Sequence, residues 1–247
     1  MSFYILITYC NNFMNYKIKK KRGLWNFDGN VPEKFIKHIL KSVPFYNEGH
    51  KLILGLSDFF LKDNSLCYDI GSSTGDLLIK LSKFTNKKTS FIGVDKSNSM
   101  INFAKNNIKK NKLKNIKVLN KDINKLKLKK SDLIIAYYTL QFIEPRYKQL
   151  LLNKIYKSLN WGGALILFEK VRANDARFQD ILNSLYYDFK EENGFKSNEI
   201  FDKEKSLRGV LEPFSDAGNK GLLKRAGFVD TISIYKYICF KGYLCVK

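Results

Sequence analysis

The seven residues Asp69-Ile70-Gly71-Ser72-Ser73-Thr74-Gly75 are the part of this chain best suited to holding a ligand. They follow a short apolar run, Leu66 to Ile70, and open an amphipathic segment, so they read as a loop between a strand and a helix. Gly71 lets the chain turn with dihedrals other residues avoid, and its missing side chain lets a ligand approach the backbone. Amides at the following helix start can meet a carboxylate. Asp95 ends a second strand-like run, 24 positions after Gly71, where an acid can accept hydrogen bonds from both hydroxyls of a ribose. Asp122-Ile123 ends a third, where an acid can take an adenine amino group and an apolar neighbour can pack on the ring. In this order, each at a strand end, these residues describe a site for an adenosine nucleoside. Each also has a plainer use. Gly71 and Gly75 could serve only as turn glycines, Asp95 as the cap of a helix beginning near Ser97, and Asp122 as a solvated turn residue.

Two adenosine ligands compete for such a site. A dinucleotide loop normally demands three glycines around its pyrophosphate, and here Ser73 and Thr74 stand in the tight part. S-adenosyl-L-methionine (AdoMet) is therefore preferred, with Asp69, Ser72 and Gly75 completing the loop that holds it. Methyl transfer from a sulfonium is an in-line displacement that needs alignment, a dry pocket, and a base only when the nucleophile carries a proton. No Pro-Cys pair is present, which argues against cysteine-nucleophile pyrimidine methylation. No Asn/Asp-Pro-Pro-aromatic motif is present, which argues against exocyclic-amine methylation. Tyr137, Tyr138 and Gln141 follow a fourth strand, where acceptor or cofactor groups sit, and are the catalytic candidates. The alternative for the two tyrosines is packing under a lid.

These residues need a scaffold. Pro32 fits a helix first turn, and Phe35, Ile36, Ile39 and Leu40 form a stripe at helical spacing. A second helix is expected over 48–61. From there strands and helices alternate: strand 66–70, helix 75–84, strand 90–94, helix 98–109, strands 116–119 and 132–137, helix 145–159, strand 163–168. Runs such as Leu133-Ile134-Ile135-Ala136 read as buried on both faces, the mark of a parallel sheet covered by helices. Residues 171–220 break the alternation and are expected to form a helical lid. Phe228–Tyr237 and Cys239–Val246 read as a closing antiparallel pair. The expected fold is α/β, a Rossmann-like class I methyltransferase fold with a mostly parallel sheet and an antiparallel last strand. It occupies residues 25–247 as one domain behind an N-terminal extension, 1–24.

The 247 residues carry 44 Lys+Arg against 23 Asp+Glu, a formal charge of +21. Such a charge suggests nucleic acid or an anionic membrane. Only six of the 44 are Arg, however, and Asn is abundant beside the lysines, a pattern that an AT-rich genome writes at exposed positions. No apolar run spans a bilayer, and the order of MSFYILITYC before Lys17–Arg22 is wrong for a secretory signal. Four dispersed cysteines and two histidines give no metal centre. A cytoplasmic protein with free thiols is expected.

Longer strings then resemble one family. Ser42-Val43-Pro44-Phe45-Tyr46, Tyr68-Asp69-Ile70-Gly71-Ser72-Ser73 and Tyr138-Thr139-Leu140-Gln141-Phe142-Ile143-Glu144-Pro145 are similar to the carboxy-S-adenosyl-L-methionine synthases of tRNA wobble-uridine modification. So are Lys154-Ile155-Tyr156, Gly162-Gly163-Ala164-Leu165, Glu169-Lys170 and Asp188-Phe189-Lys190 with Asn193-Gly194-Phe195. The resemblance covers about residues 25–246. It implies homodimers that carboxylate AdoMet with prephenate, and cofactor contacts at Tyr46, Gly71, Ser73, Asp95, Lys96, Asp122 and Ile123. Two positions depart from the family pattern. Tyr137, at a cofactor-contacting position, replaces an Asn, and Glu204 replaces the Arg that receives the added carboxylate. Lys203, Lys205 and Arg208 are the nearby cations that could stand in, which makes Arg208 a further catalytic candidate. The leading expectation is an AdoMet-dependent methyltransferase acting on a small molecule of unknown identity. The alternative is retained carboxy-AdoMet synthesis, and a third reading is an RNA-binding protein with a vestigial site and direct tRNA contact.

Overall fold

The computed structural model describes Gly23, Trp25 and residues 31–247; the extension expected over 1–24 lies almost wholly outside the described residues. Helices α1 (Val31–Ser42) and α2 (Tyr46–Phe60) come first, joined by Pro44 and by Phe45 in the left-handed region. Strands and helices then alternate as expected: β1 (Leu66–Ile70), α3 (Asp76–Phe84), β2 (Ser90–Asp95), α4 (Asn98–Lys110), β3 (Ile116–Asn120), β4 (Ser131–Tyr137), α5 (Pro145–Ser158) and β5 (Leu159–Lys170). After them come α6 (Ala176–Glu192), α7 (Ser197–Leu207), α8 (Asp216–Ala226), β6 (Asp230–Tyr237) and β7 (Phe240–Val246).

The strands form one sheet in the order β3-β2-β1-β4-β5-β7-β6. The first five pair in parallel, and β7 runs antiparallel to both β5 and β6. Alternate residues of the central strands feed two cores. Leu133, Ile135 and Tyr137 of β4 join Ile53 of α2 and Leu77, Leu78 and Leu81 of α3. Ile134 and Ala136 face the other way, onto Leu151, Leu152 and Ile155 of α5 and Leu222 and Leu223 of α8. Both faces of the sheet are thus covered, and the apolar runs are continuous for that reason.

Two differences from the expected elements are instructive. β5 begins at Leu159, because Leu159 pairs with Ser131 across a bulge and Gly162 donates to the carbonyl of Lys247 at 2.9 Å. Asn160-Trp161-Gly162-Gly163 looks like a loop, but tertiary pairing holds it extended. The helix α8 falls partly inside the range expected for the lid, yet Leu222 and Leu223 bury it in the core beside α5. The inserted helices are α6 and α7.

Candidate active site

Strand order reverses between β1 and β4: the chain adds β2 and β3 on one side and β5 on the other. Loops leaving such neighbours diverge and open a crevice at the carboxyl ends of the strands, where ligands bind in open α/β sheets. A cavity of about 970 Å³ lies here, lined by the β1–α3 loop, the ends of β2 and β4, α1, α2 and the inserted helices.

The loop after β1 is held by the sheet. The amides of Gly71 and Ser72 donate to Val94 O at 2.7 and 3.1 Å, and Gly71 and Gly75 have φ of 77° and 76°. The Ser73 amide donates to Asp95 Oδ2 at 2.9 Å, while Asp95 Oδ1 accepts from the Ser97 amide at 2.9 Å. Asp95 therefore braces the loop and the start of α4 at once. The α4 cap itself is Ser97, whose hydroxyl accepts from the Met100 amide at 3.3 Å. Both carboxylate oxygens of Asp95 are oriented by these bonds at the cavity wall. Asp69 is buried at the end of β1. Its carboxyl is pushed up to about 7, first by burial and then by the charge of Asp95.

On the far side, Asp122 Oδ1 accepts from the Asn124 amide at 2.8 Å, and Ile123 is buried against the cavity. Lys154 of α5 fixes this turn by donating to the carbonyls of Ile123, Asn124 (2.9 Å) and Leu126 (3.0 Å). Lys96 is exposed at the cavity rim. Every cofactor residue expected from the sequence except Gly75 lines this one cavity, and Gly75 packs behind the loop on Ala104.

Tyr46, His50 and Tyr137 form an aromatic wall, with ring centroids 4.7 to 5.0 Å apart. Tyr137 Oη donates to the Tyr46 carbonyl at 2.7 Å, and a Cβ on Gly49 would collide with that hydroxyl. Behind the wall, Lys80 pairs with Asp76 at 2.7 Å and reaches His50 Nδ1 at 3.0 Å. Burial opposes ionisation of Asp76, yet hydrogen bonds from His50 and Lys80 hold its carboxyl low, at about 2. Burial lowers the His50 pKa, so its ring is neutral near pH 7. This wall was not legible in the sequence, because its members come from α2 and β4 and its support from α3.

Tyr138, at φ 58°, packs its ring against Phe168 and Phe240. Gln141 is buried: its Oε1 accepts from the Lys170 amide at 2.8 Å, and its carbonyl accepts from the Glu212 amide at 2.8 Å. Both residues line the cavity, and Gln141 ties three segments together through its two carbonyl oxygens. Glu204 also lines the cavity. It accepts from Tyr187 Oη at 2.7 Å and pairs with Arg208 at 3.7 Å. Lys203 and Arg208 line the cavity too, whereas Lys205 packs over the Phe201 ring at 4.3 Å.

Carboxylates at the end of β2 and just after β3, a buried isoleucine beside the second, and a glycine turn at a parallel-sheet switch point are the arrangement of a class I AdoMet-dependent transferase. A family model for a methyltransferase domain matches residues 61–194. The fold is shared with a SAM-dependent methyltransferase from Aquifex aeolicus, at TM-score 0.57 and 21% identity over 90% of this chain and 100% of that one. The sequence narrows the assignment: the chain belongs to the carboxy-S-adenosyl-L-methionine synthase family. It is 38% identical to the synthase of Staphylococcus epidermidis over 90% of this chain and 97% of that one. It is 36% identical to the synthase of Campylobacter jejuni over 90% and 94%. AdoMet is accordingly the ligand to which this cavity corresponds. Among the described residues, no helix is long and apolar enough to cross a membrane, and no His/Cys/Asp/Glu group is placed to hold a metal.

Proposed function

We propose that this protein carboxylates AdoMet, using a small anionic carboxyl donor of the prephenate type, and so supplies a carboxymethyl donor for tRNA wobble-uridine modification. In this reading Asp95 takes the ribose hydroxyls, Asp122 and Ile123 take the adenine, and Asp69 faces the methionine ammonium. The bound AdoMet would supply a methyl group activated by a sulfonium. The chain's own residues orient that group and keep water from it, with α6 and α7 as the cover over one continuous domain.

The observation that carries this reading is the state of Glu204. An unpaired acid at the family's arginine position would repel a carboxylate. Here Tyr187 and Arg208 engage it, and Lys203 on the same helix adds a second cation to the wall. Incubation with AdoMet and prephenate tests the proposal. A carboxylated adenosyl product, detected by mass spectrometry, is expected; its absence with active controls rejects synthase activity.

The second reading, methyl transfer to an unidentified acceptor, is favoured by the same Glu204 substitution. It requires AdoMet binding without measurable carboxy-AdoMet binding in calorimetry. A homodimer is supported by Phe178, Ile181 and Leu185, an apolar stripe along α6 that is about half exposed. Light scattering of wild type against Ile181→Glu checks it. A reducing, cytoplasmic setting accords with Cys67, Cys239 and Cys245 as buried free thiols.

A further inference from the structure

Three lysines from three different elements converge where the inserted helices meet the sheet. Lys170 ends β5, Lys190 lies in α6 and Lys203 in α7, and all three line the cavity that contains Asp69 and Asp95. The ammonium groups of Lys170 and Lys190 lie 4.4 and 3.9 Å from the centre of the Tyr186 ring. Tyr186 is locked in place because its hydroxyl donates to the Ser42 carbonyl at 2.8 Å. Lys203 contacts His38 Nε2 and reaches Ser42 Oγ at 3.3 Å. Among the described residues, none of the three lysines forms an ion pair, although other half-buried lysines, Lys80, Lys87 and Lys241, do.

Gathering like charges in a partly desolvated cavity is unfavourable. Burial first, and then the neighbouring lysines, depress Lys203 to about 7 and Lys190 to about 8. A structural role would place a carboxylate among them or replace one by an apolar residue. Glu204 of α7 acts electrostatically on Lys190, but its carboxylate is turned to Tyr187 and Arg208.

We infer that Lys170, Lys190 and Lys203 form the anion subsite that holds a small dicarboxylate, the carboxyl donor, beside the adenosyl pocket. This rests on the proposed carboxylation and deepens it, by naming residues that would bind the second substrate. The lysines are half-buried inside the cavity, not raised on a convex surface. That placement suits a compact anion rather than an RNA backbone. Two cations over the Tyr186 ring, with Lys203 beside His38 and Ser42 in the same cavity, match two carboxylates held close to a hydrophobic ring, since each ammonium donates three hydrogen bonds as a compact charge.

The test is calorimetric titration of malonate and of prephenate into full-length protein saturated with S-adenosyl-L-homocysteine. Wild type is expected to bind at least one of them saturably. Lys190→Met and Lys203→Met are each expected to weaken it by about tenfold, roughly 1.4 kcal/mol, with nucleoside affinity kept within about twofold of wild type. Lys190→Gln and Lys203→Gln, with thermal melting of every variant, keep the result readable should a Met variant fail to fold. Anion affinity unchanged in all variants, no saturable binding by wild type, tighter binding of inorganic phosphate, or displacement by single-stranded RNA would each overturn the assignment. The two proposals fail separately. Variant-sensitive malonate binding without carboxylated product keeps the subsite and rejects the reaction. Product formation with a prephenate KM that none of the variants moves keeps the reaction and rejects the subsite.

Discussion

The side chain of Thr139 occupies the space that a Cβ on Gly71 would need, and its hydroxyl donates to the carbonyl of Ile70 at 2.8 Å. The β4 exit and the β1–α3 loop are thereby fitted to each other across the switch point. Gly71→Ala adds a methyl group into this contact at φ 77°, where any side chain is strained. The expected outcome is an AdoMet affinity lower by at least about tenfold and stability lower by ~1–3 kcal/mol. Calorimetry and urea denaturation measure the two effects.

With Asp69 facing the methionine ammonium, as proposed, cofactor binding depends on pH. The Asp69 carboxyl rises from an ordinary 3.8 to about 7 in the folded protein, through burial and the nearby Asp95. The folded chain thus keeps a proton that the unfolded chain releases across that window, and stability of the ligand-free protein falls as pH rises through it. Binding a methionine ammonium favours the ionised form. AdoMet affinity should therefore increase between about pH 6 and 8, with proton release detectable in buffers of different ionisation heat. Asp69→Asn should bind AdoMet more weakly at pH 8 and lose this pH dependence, while being no less stable there.

The Tyr137 hydroxyl is anchored on the Tyr46 carbonyl. Tyr137→Phe removes this second hydrogen bond to a carbonyl already in the α2 ladder, at a cost of about 0.5–1.5 kcal/mol in chemical denaturation. Gly49→Ala should be worse, because the new methyl displaces the whole Tyr137 ring. If Gly49→Ala is as stable as Tyr137→Phe, the wall is more deformable than the contact implies.

Arg208 and Glu204 make a final comparison. The pair is exposed, and its direct contribution to folding is small, below about 1 kcal/mol. Its effect belongs to the second substrate. Arg208→Ala leaves Glu204 without its cation and is expected to raise the prephenate KM by at least about fivefold. Glu204→Gln is expected to lower that KM or leave it unchanged. A higher KM for Glu204→Gln, with folding intact, would show that the carboxylate contributes to binding.

Some features were readable because they are local. The strand–loop–helix around Gly71 depends on periodicity and a glycine, and Asp95 and Asp122 stand one and three residues beyond apolar runs. The parallel core announced itself through continuous apolar strands, and the reversed final pair through two closely spaced β-rich runs. Longer strings of residues carried the family. Other features could not be read in this way. Residues 159–163 carry turn-forming types, yet pairing with β4 and the chain end holds them extended. α8 has too few apolar residues to distinguish it from a lid helix until Leu222 and Leu223 meet α5.

Taken by itself, the sequence determined the α/β class, the glycine loop after the first core strand with the acids that follow it, and the acid at position 204, since each is set by residue type and short-range order. Only the tertiary structure decided what surrounds those residues. Lys170, Lys190 and Lys203 are remote in sequence, and each alone resembles any other lysine of a chain with a +21 charge. Folding brings β5, α6 and α7 together around Tyr186, and Coulomb interaction in a shared cavity turns three ordinary cations into one local feature. The same folding hands Glu204 to Tyr187 and Arg208, so its charge is answered by neighbours that no spacing rule connects with the adenosyl pocket.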